Sequence, residues 1–149
     1  KQINNLKNLK KMGRVFFNTR DHIDTTACTS TDTYVMLASD SGKTFLVSGG
    51  AQAITLLPAA DLVEGWNCRF ITTASPSGDK VIGAGSTVIH GATANADTAA
   101  VAASDGTAKT SVTIEAASQA GNWLDIMCDG SAYYFNGAAG QNAAFSVDA

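Results

Sequence analysis

Charge is scarce in this chain. Charged residues make up 15% of its 149 residues, against about a quarter in an ordinary soluble domain. A surface so poor in charge is covered by Ser, Thr, Asn, Gly and Ala, or by another protein copy, and it suits extended assembly contacts. Histidine is scarcer still, with only His22 and His90. Ser-His-Asp and Cys-His mechanisms need a histidine as general base. Nothing near either histidine marks a strained nucleophile turn, and His90, at the end of Val88-Ile89-His90-Gly91, reads as structural. No two His or Cys residues have metal-ligand spacing. The cysteines are Cys28, Cys68 and Cys128, an odd and widely spaced set with no Cys-x-x-Cys. They read as small buried hydrophobes in a reducing compartment, not as a disulfide framework. Long apolar runs are missing too. None reaches the length that crosses a bilayer, and none follows the opening Lys-Gln-Ile-Asn-Asn as in a signal peptide.

What is present is unevenly distributed. The net charge of −3 is the sum of a +6 arm and a −9 body. Residues 1–20 hold Lys1, Lys7, Lys10, Lys11, Arg14 and Arg20 and no acid, while residues 21–149 carry four basic residues and all thirteen acids. A basic arm on an acidic body docks onto something negative or stays solvated. Within it Ile3, Leu6, Leu9 and Met12 recur every third residue with lysines between them, and Gly13 follows. That is the pattern of a short amphipathic helix, which needs a partner because a helix of this length is marginal alone.

From residue 21 onward the pattern is all-β. Gly, Ser, Thr, Asn and Asp punctuate the chain every eight to twelve residues, and between them lie runs rich in Val, Ile, Thr, Phe, Tyr and Trp. The expected strands are 34–38, 43–48, 53–57, 66–73, 80–83, 87–90, 110–116, 122–128, 132–136 and 143–147. Pro58 ends one of them, since proline cannot donate to a ladder. Asp129-Gly130 lies between two apolar runs and predicts a hairpin turn, because such turns need positive φ. Residues 92–109 have Val101 as their one bulky apolar side chain and read as a long surface loop or edge excursion. The expected architecture is an antiparallel β-sandwich or barrel-like body with a short N-terminal arm or helix, forming a basic arm (1–20) and a single β domain (21–149).

Candidate chemistry is thin. Ser41-Gly42-Lys43-Thr44 looks like the end of a phosphate-binding loop, but Leu37 occupies the position of its first glycine and Thr44-Phe-Leu-Val reads as a strand, not a helix. A Ser-Gly turn capped by Asp40 explains it better. A glycosidase needs two carboxylates across a cleft. The acids here are scattered singly, several in turn contexts (Asp40-Ser-Gly, Asp105-Gly, Asp129-Gly), and Asp125 alternates with Leu124 and Ile126 and so faces outward. No catalytic, cofactor-binding or metal-binding residue is assigned.

The order of segments resembles a family of small β-modules found in tailed-phage particles. A Ser-Gly-Lys-Thr-Phe segment (within 40–46) leads to a strand ending in Leu-Pro (54–58). A Gly-aromatic strand with Arg-Phe-Ile (65–71) is followed by a His-Gly turn (89–91). Last come a Gly-x-aromatic strand, an Asp-Gly turn and an aromatic strand (121–137). The likeness covers about residues 38–137 and excludes the basic arm. Such modules occur in capsid decoration (cement) proteins, head fibres and tail fibres. The resemblance implies a trimer without catalytic residues.

The first expectation is therefore a homotrimeric decoration protein on the outer shell of a virion, assembled in the host cytoplasm and partnered by the major capsid protein. Nucleic acid, membrane and cofactors are not expected. Its arm would bury Ile3, Leu6, Leu9, Val15, Phe16 and Phe17 while Lys7, Lys10, Lys11 and Arg14 meet acidic capsid groups. The second is a head- or tail-fibre receptor-binding module stacking sugars on aromatics, for which Trp66, Trp123, Tyr133 and Tyr134 are the candidates. The third, a small hydrolase, has little to build with.

Overall fold

The computed structural model describes residues 23–96, 103, 108–141 and 143–148. The N-terminal arm, with every capsid-contact residue expected in it, lies outside the described residues, as does most of 97–107.

The described chain is all β and forms two sheets around one core. In chain order the strands are β1 (Ile23–Asp24), β2 (Tyr34–Val35), β3 (Thr44–Val47), β4 (Gln52–Thr55), β5 (Asn67–Thr72), β6 (Lys80–Gly83), β7 (Ile89–Asn95), β8 (Ser111–Ile114), β9 (Trp123–Cys128), β10 (Tyr133–Ala139) and β11 (Phe145–Asp148). The first sheet has the order β1-β3-β5-β9-β10-β7, the second β11-β8-β6-β4-β2. The ten expected strands are all present, β6 with the expected bounds and the others with shifted ends, and β1 is additional. Residues 92–95, expected in a loop, continue β7 instead, and Ala103 bridges back to Ala92.

The sandwich is mixed where an antiparallel one was expected. Among the described strands β1–β3, β3–β5, β2–β4, β4–β6 and β7–β10 pair in parallel. The pairs β5–β9, β9–β10, β6–β8 and β8–β11 are antiparallel. The cause is the route of the chain. From β1 to β6 it crosses to the other sheet after every strand, so each strand returns to its own sheet running in its predecessor's direction. The result is a flattened coil of three turns, odd strands on one side and even strands on the other. The chain then reverses through β8 and β9, and among the described strands only β9 to β10 is a direct hairpin.

Side chains alternate as the pleat requires. In β4, Gln52 and Ile54 are buried while Ala53 and Thr55 are exposed. In β10, Tyr133, Phe135 and Gly137 point inward and Tyr134 and Asn136 outward. Phe45 and Phe70 are parallel cross-strand neighbours whose rings stack at 5.4 Å. Trp66 meets Tyr133 edge to face at 6.2 Å. Such pairs add about 0.5–1.5 kcal/mol to the burial of the rings themselves.

A buried polar cluster ties a loop to this frame. Lys80 and Gln52, register partners on β6 and β4, are both buried. The Lys80 ammonium donates to the Ser30 carbonyl at 2.8 Å and to Gln52 Oε1 at 3.2 Å, and Gln52 Nε2 donates to the carbonyls of Ala27 and Asp32. Together they pin the β1–β2 loop. Burial lowers the Lys80 pKa from its ordinary value. The three cysteines are free and buried. Burial pushes the Cys28 thiol up to about 12 and the Cys68 thiol well above its ordinary value.

Candidate functional site

The Ser-Gly-Lys-Thr segment is a turn followed by a strand. A short 3₁₀ turn, Ala38–Asp40, precedes it, and Asp40 is fully buried. Its Oδ2 accepts from the Leu37 amide at 2.8 Å and the Tyr34 hydroxyl at 3.0 Å, and its Oδ1 from the Lys43 ammonium at 2.7 Å. The lysine that a phosphate-binding loop would offer to a nucleotide is thus paired internally. The Tyr34 hydroxyl has a raised pKa, from burial and then from its bond to Asp40.

The expected Asp-Gly hairpin is present. Asp129 Oδ1 accepts from the amides of Ser131 and Ala132, Gly130 has φ of 87°, and Tyr134 donates to Asp129 Oδ2. These bonds hold the Asp129 carboxyl below its ordinary pKa, the Ala132 and Ser131 amides first.

The outer face of the first sheet carries a group of polar and aromatic side chains. Pairing sets it in three rows. The first runs Asn67, Met127, Tyr134, His90; the second Thr44, Arg69, Asp125, Asn136, Ala92; the third Leu46, Ile71, Trp123, Ala138, Ala94. In the middle row Arg69 Nε and Nη2 donate to the two oxygens of Asp125 at 2.5 and 2.6 Å. The guanidinium carbon also lies 5.0 Å from the centre of the Trp123 ring. The bonds to Asp125 raise the Arg69 pKa. Both side chains are partly exposed, so the pair orients its members more than it stabilises the fold, contributing below about 1 kcal/mol. Above this row lies an open depression of about 380 Å³ bordered by Gly42, Lys43, Thr44, Asn67, Met127 and Asn136.

The aromatics proposed from sequence separate into two groups. Trp66 and Tyr133 are core residues, Trp66 donating to the Leu37 carbonyl and Tyr133 to the Leu57 carbonyl. Trp123 and Tyr134 face outward. His90, read as structural, is exposed, with its ring 5.8 Å from that of Tyr134. The Arg69–Asp125 pair escaped the sequence reading. Its members are 56 residues apart, and only the β5–β9 register brings them together.

At the open end of the coil β1 and β2 are the edge strands of the two sheets, with Ile23 on the outer face of the first and Val35 on that of the second. Ile23, Val35 and Leu37, the last just beyond β2, are 61%, 50% and 53% exposed. The outer face of the second sheet continues from Val35 through Thr55, Gly83 and Ser111 to Asp148, and in the next row through Ala53, Val81 and Ser146, with Thr113 of that row buried. Asp148 is the one charged residue in these two rows.

Comparison with protein-family models, curated proteins and solved structures finds no match. Among the described residues no three His, Cys, Asp or Glu side chains come together as a metal site, and no helix is long and apolar enough to cross a membrane.

Proposed function

We propose that this chain is a structural protein of a virus particle, a decoration protein that binds the outer capsid surface and associates with itself as a trimer. The observation that carries this reading is the placement of exposed apolar side chains. Ile23 on the outer face of the first sheet, and Val35 and Leu37 on or just beyond the edge strand of the second, are exposed on the two edge strands nearest the basic arm in sequence, and the two second-sheet rows that start at Val35 and Ala53 carry Asp148 as their one charge. In this reading the arm and the edge strands β1 and β2 both contact the partner. Their apolar side chains give area and the lysines of the arm meet acidic partner groups. Repetition over a lattice multiplies a modest single contact, and binding to the assembled shell stabilises it by linkage. The order of sequence segments supports the phage setting.

The test is the ratio of this chain to the major capsid protein in purified particles, measured by quantitative gel densitometry. A ratio near that of a lattice component is the expected result. Absence from particles refutes the proposal. Val35→Lys with Leu37→Lys, in a chain that still melts cooperatively, should reduce particle binding at least tenfold; unchanged binding removes the coil end from the contact.

One observation favours a second reading, a head- or tail-fibre receptor-binding module. Trp123, Tyr134 and His90 are presented on one outward face. A few copies per particle would support that reading instead.

A further inference from the structure

We infer that the outer face of the first sheet is a binding site for a neutral oligosaccharide. The inference does not depend on where the protein sits in a particle, since it concerns side chains of one folded chain.

The argument starts from what a sugar requires. A pyranose offers hydroxyls that both donate and accept, and an apolar ring face that stacks on aromatics. Planar side chains with fixed orientation match the hydroxyls best, because little rotamer entropy is lost on binding. The middle row supplies them. Asp125 is held by two bonds from Arg69, and each of its oxygens keeps a further lone pair for a hydroxyl. Asn136, the next residue in register, is exposed and offers one acceptor and two donors. Asn67 stands beside the same depression with its amide nitrogen engaged by the Gly65 carbonyl, which directs its oxygen as an acceptor.

Aromatic groups flank this polar row on both sides. Trp123 is two residues from Asp125 on one side. On the other, Tyr134 is two residues from Asn136 and is steadied by Asp129 and His90. Four residues along a strand separate the outer rows, about 13 Å, so a short chain of sugars lies across the row between two ring systems.

Charge decides the ligand class. The Arg69 and Asp125 charges cancel, and the Lys43 charge is paired with Asp40. Among the described residues this face carries no Lys or Arg charge without an acidic partner, so phosphate or nucleic acid gains little from them. Neutral hydroxyls gain from charge-assisted bonds to both members of the pair. The depression is open, not a closed pit, which fits internal residues of a glycan chain better than a single terminal sugar.

The test is a printed array of microbial and mammalian glycans probed with the full chain, each hit then titrated by tryptophan fluorescence. The sequence has two tryptophans, and Trp66 is 1% exposed, so a ligand on this face alters the emission of Trp123. At least one neutral glycan should bind, and Asn136→Ala and Tyr134→Ala should each weaken it at least fivefold. Both positions are exposed, and cooperative melting near the parent temperature verifies the fold. Trp123→Phe should abolish the fluorescence change. The inference is overturned if no neutral glycan binds above background, or if binding persists unchanged in both alanine variants. Neither result bears on the capsid reading, which is measured by copy number in particles.

Discussion

Replacing Asp40 tests the buried polar cluster that shapes the coil end. Its carboxylate takes three hydrogen bonds, two on Oδ2 from the Leu37 amide and the Tyr34 hydroxyl, and one on Oδ1 from Lys43. Asp40→Asn keeps one oxygen. That oxygen can serve Leu37 and Tyr34, while the new NH2 faces the Lys43 ammonium. Lys43 is 29% exposed and can turn to water, so the loss is one charge-assisted bond and some strength in two others, about 1–2 kcal/mol. Asp40→Ala removes all three and leaves the Leu37 amide and the Tyr34 hydroxyl without their acceptor, which costs about 3–5 kcal/mol. For a chain of this length that is a fall in melting temperature on the order of 10 °C. Urea titration and calorimetry of parent, Asn and Ala forms measure the series. Because Leu37 belongs to the proposed contact surface, the Ala form should also bind particles less tightly when folded. An Ala form as stable as the Asn form, or a loss below about 1 kcal/mol, would refute the assigned hydrogen bonds.

Three further outcomes follow from the core. Lys80→Met relieves the burial of a charge but leaves the Ser30 carbonyl and Gln52 Oε1 without their donor. The lost bonds outweigh the relief, so urea titration should show a loss of about 1–3 kcal/mol, and a more stable variant would show that the desolvation penalty dominates. Alkaline pH should destabilise the fold. The Cys28 thiol is raised from 9.0 to about 12, so its stabilisation is complete below pH 9 and is lost as pH rises through that window, about 1.4 kcal/mol by pH 10. Cys68 acts in the same direction, while Lys80, whose pKa is lowered, opposes them as its buried charge disappears. Melts of Cys28→Ala between pH 8 and 10 should show a shallower decline than the parent, and an identical slope would exclude the thiol as the source. Gly91 has φ of 151°, and a Cβ there would lie 1.9 Å from the Phe135 carbonyl oxygen, so Gly91→Ala must push β7 away from β10. A loss above about 2 kcal/mol is expected in thermal melts, with hydrogen exchange rising first along β7; unchanged protection there would contradict the pairing.

Local chemistry made much of this protein legible without coordinates. Period-two alternation and turn residues located the strands from Tyr34 onward, because each strand buries one face and each turn needs Gly, Asp or Ser. The Asp129-Gly130 hairpin, the strand after Ser-Gly-Lys-Thr, the outward Asp125 and the buried cysteines are all properties of a few neighbouring residues. The direction of pairing is not. A turn between two short strands looks the same whether the chain folds back beside itself or crosses to the opposite sheet, and the coil makes the second choice from β1 to β6. Ile23 and Asp24 carry too short a pattern to announce a strand, and β1 exists because β3 offers it an edge. The extension of β7 through Asn95 depends likewise on β10, since an Ala-Thr-Ala-Asn run has little strand preference of its own. The outer face follows the same rule. Arg69, Trp123, Asp125, Asn136 and Tyr134 are ordinary surface residues in sequence. They become one face because strands distant along the chain lie side by side about 4.8 Å apart, and that adjacency is decided by the packing of the whole core.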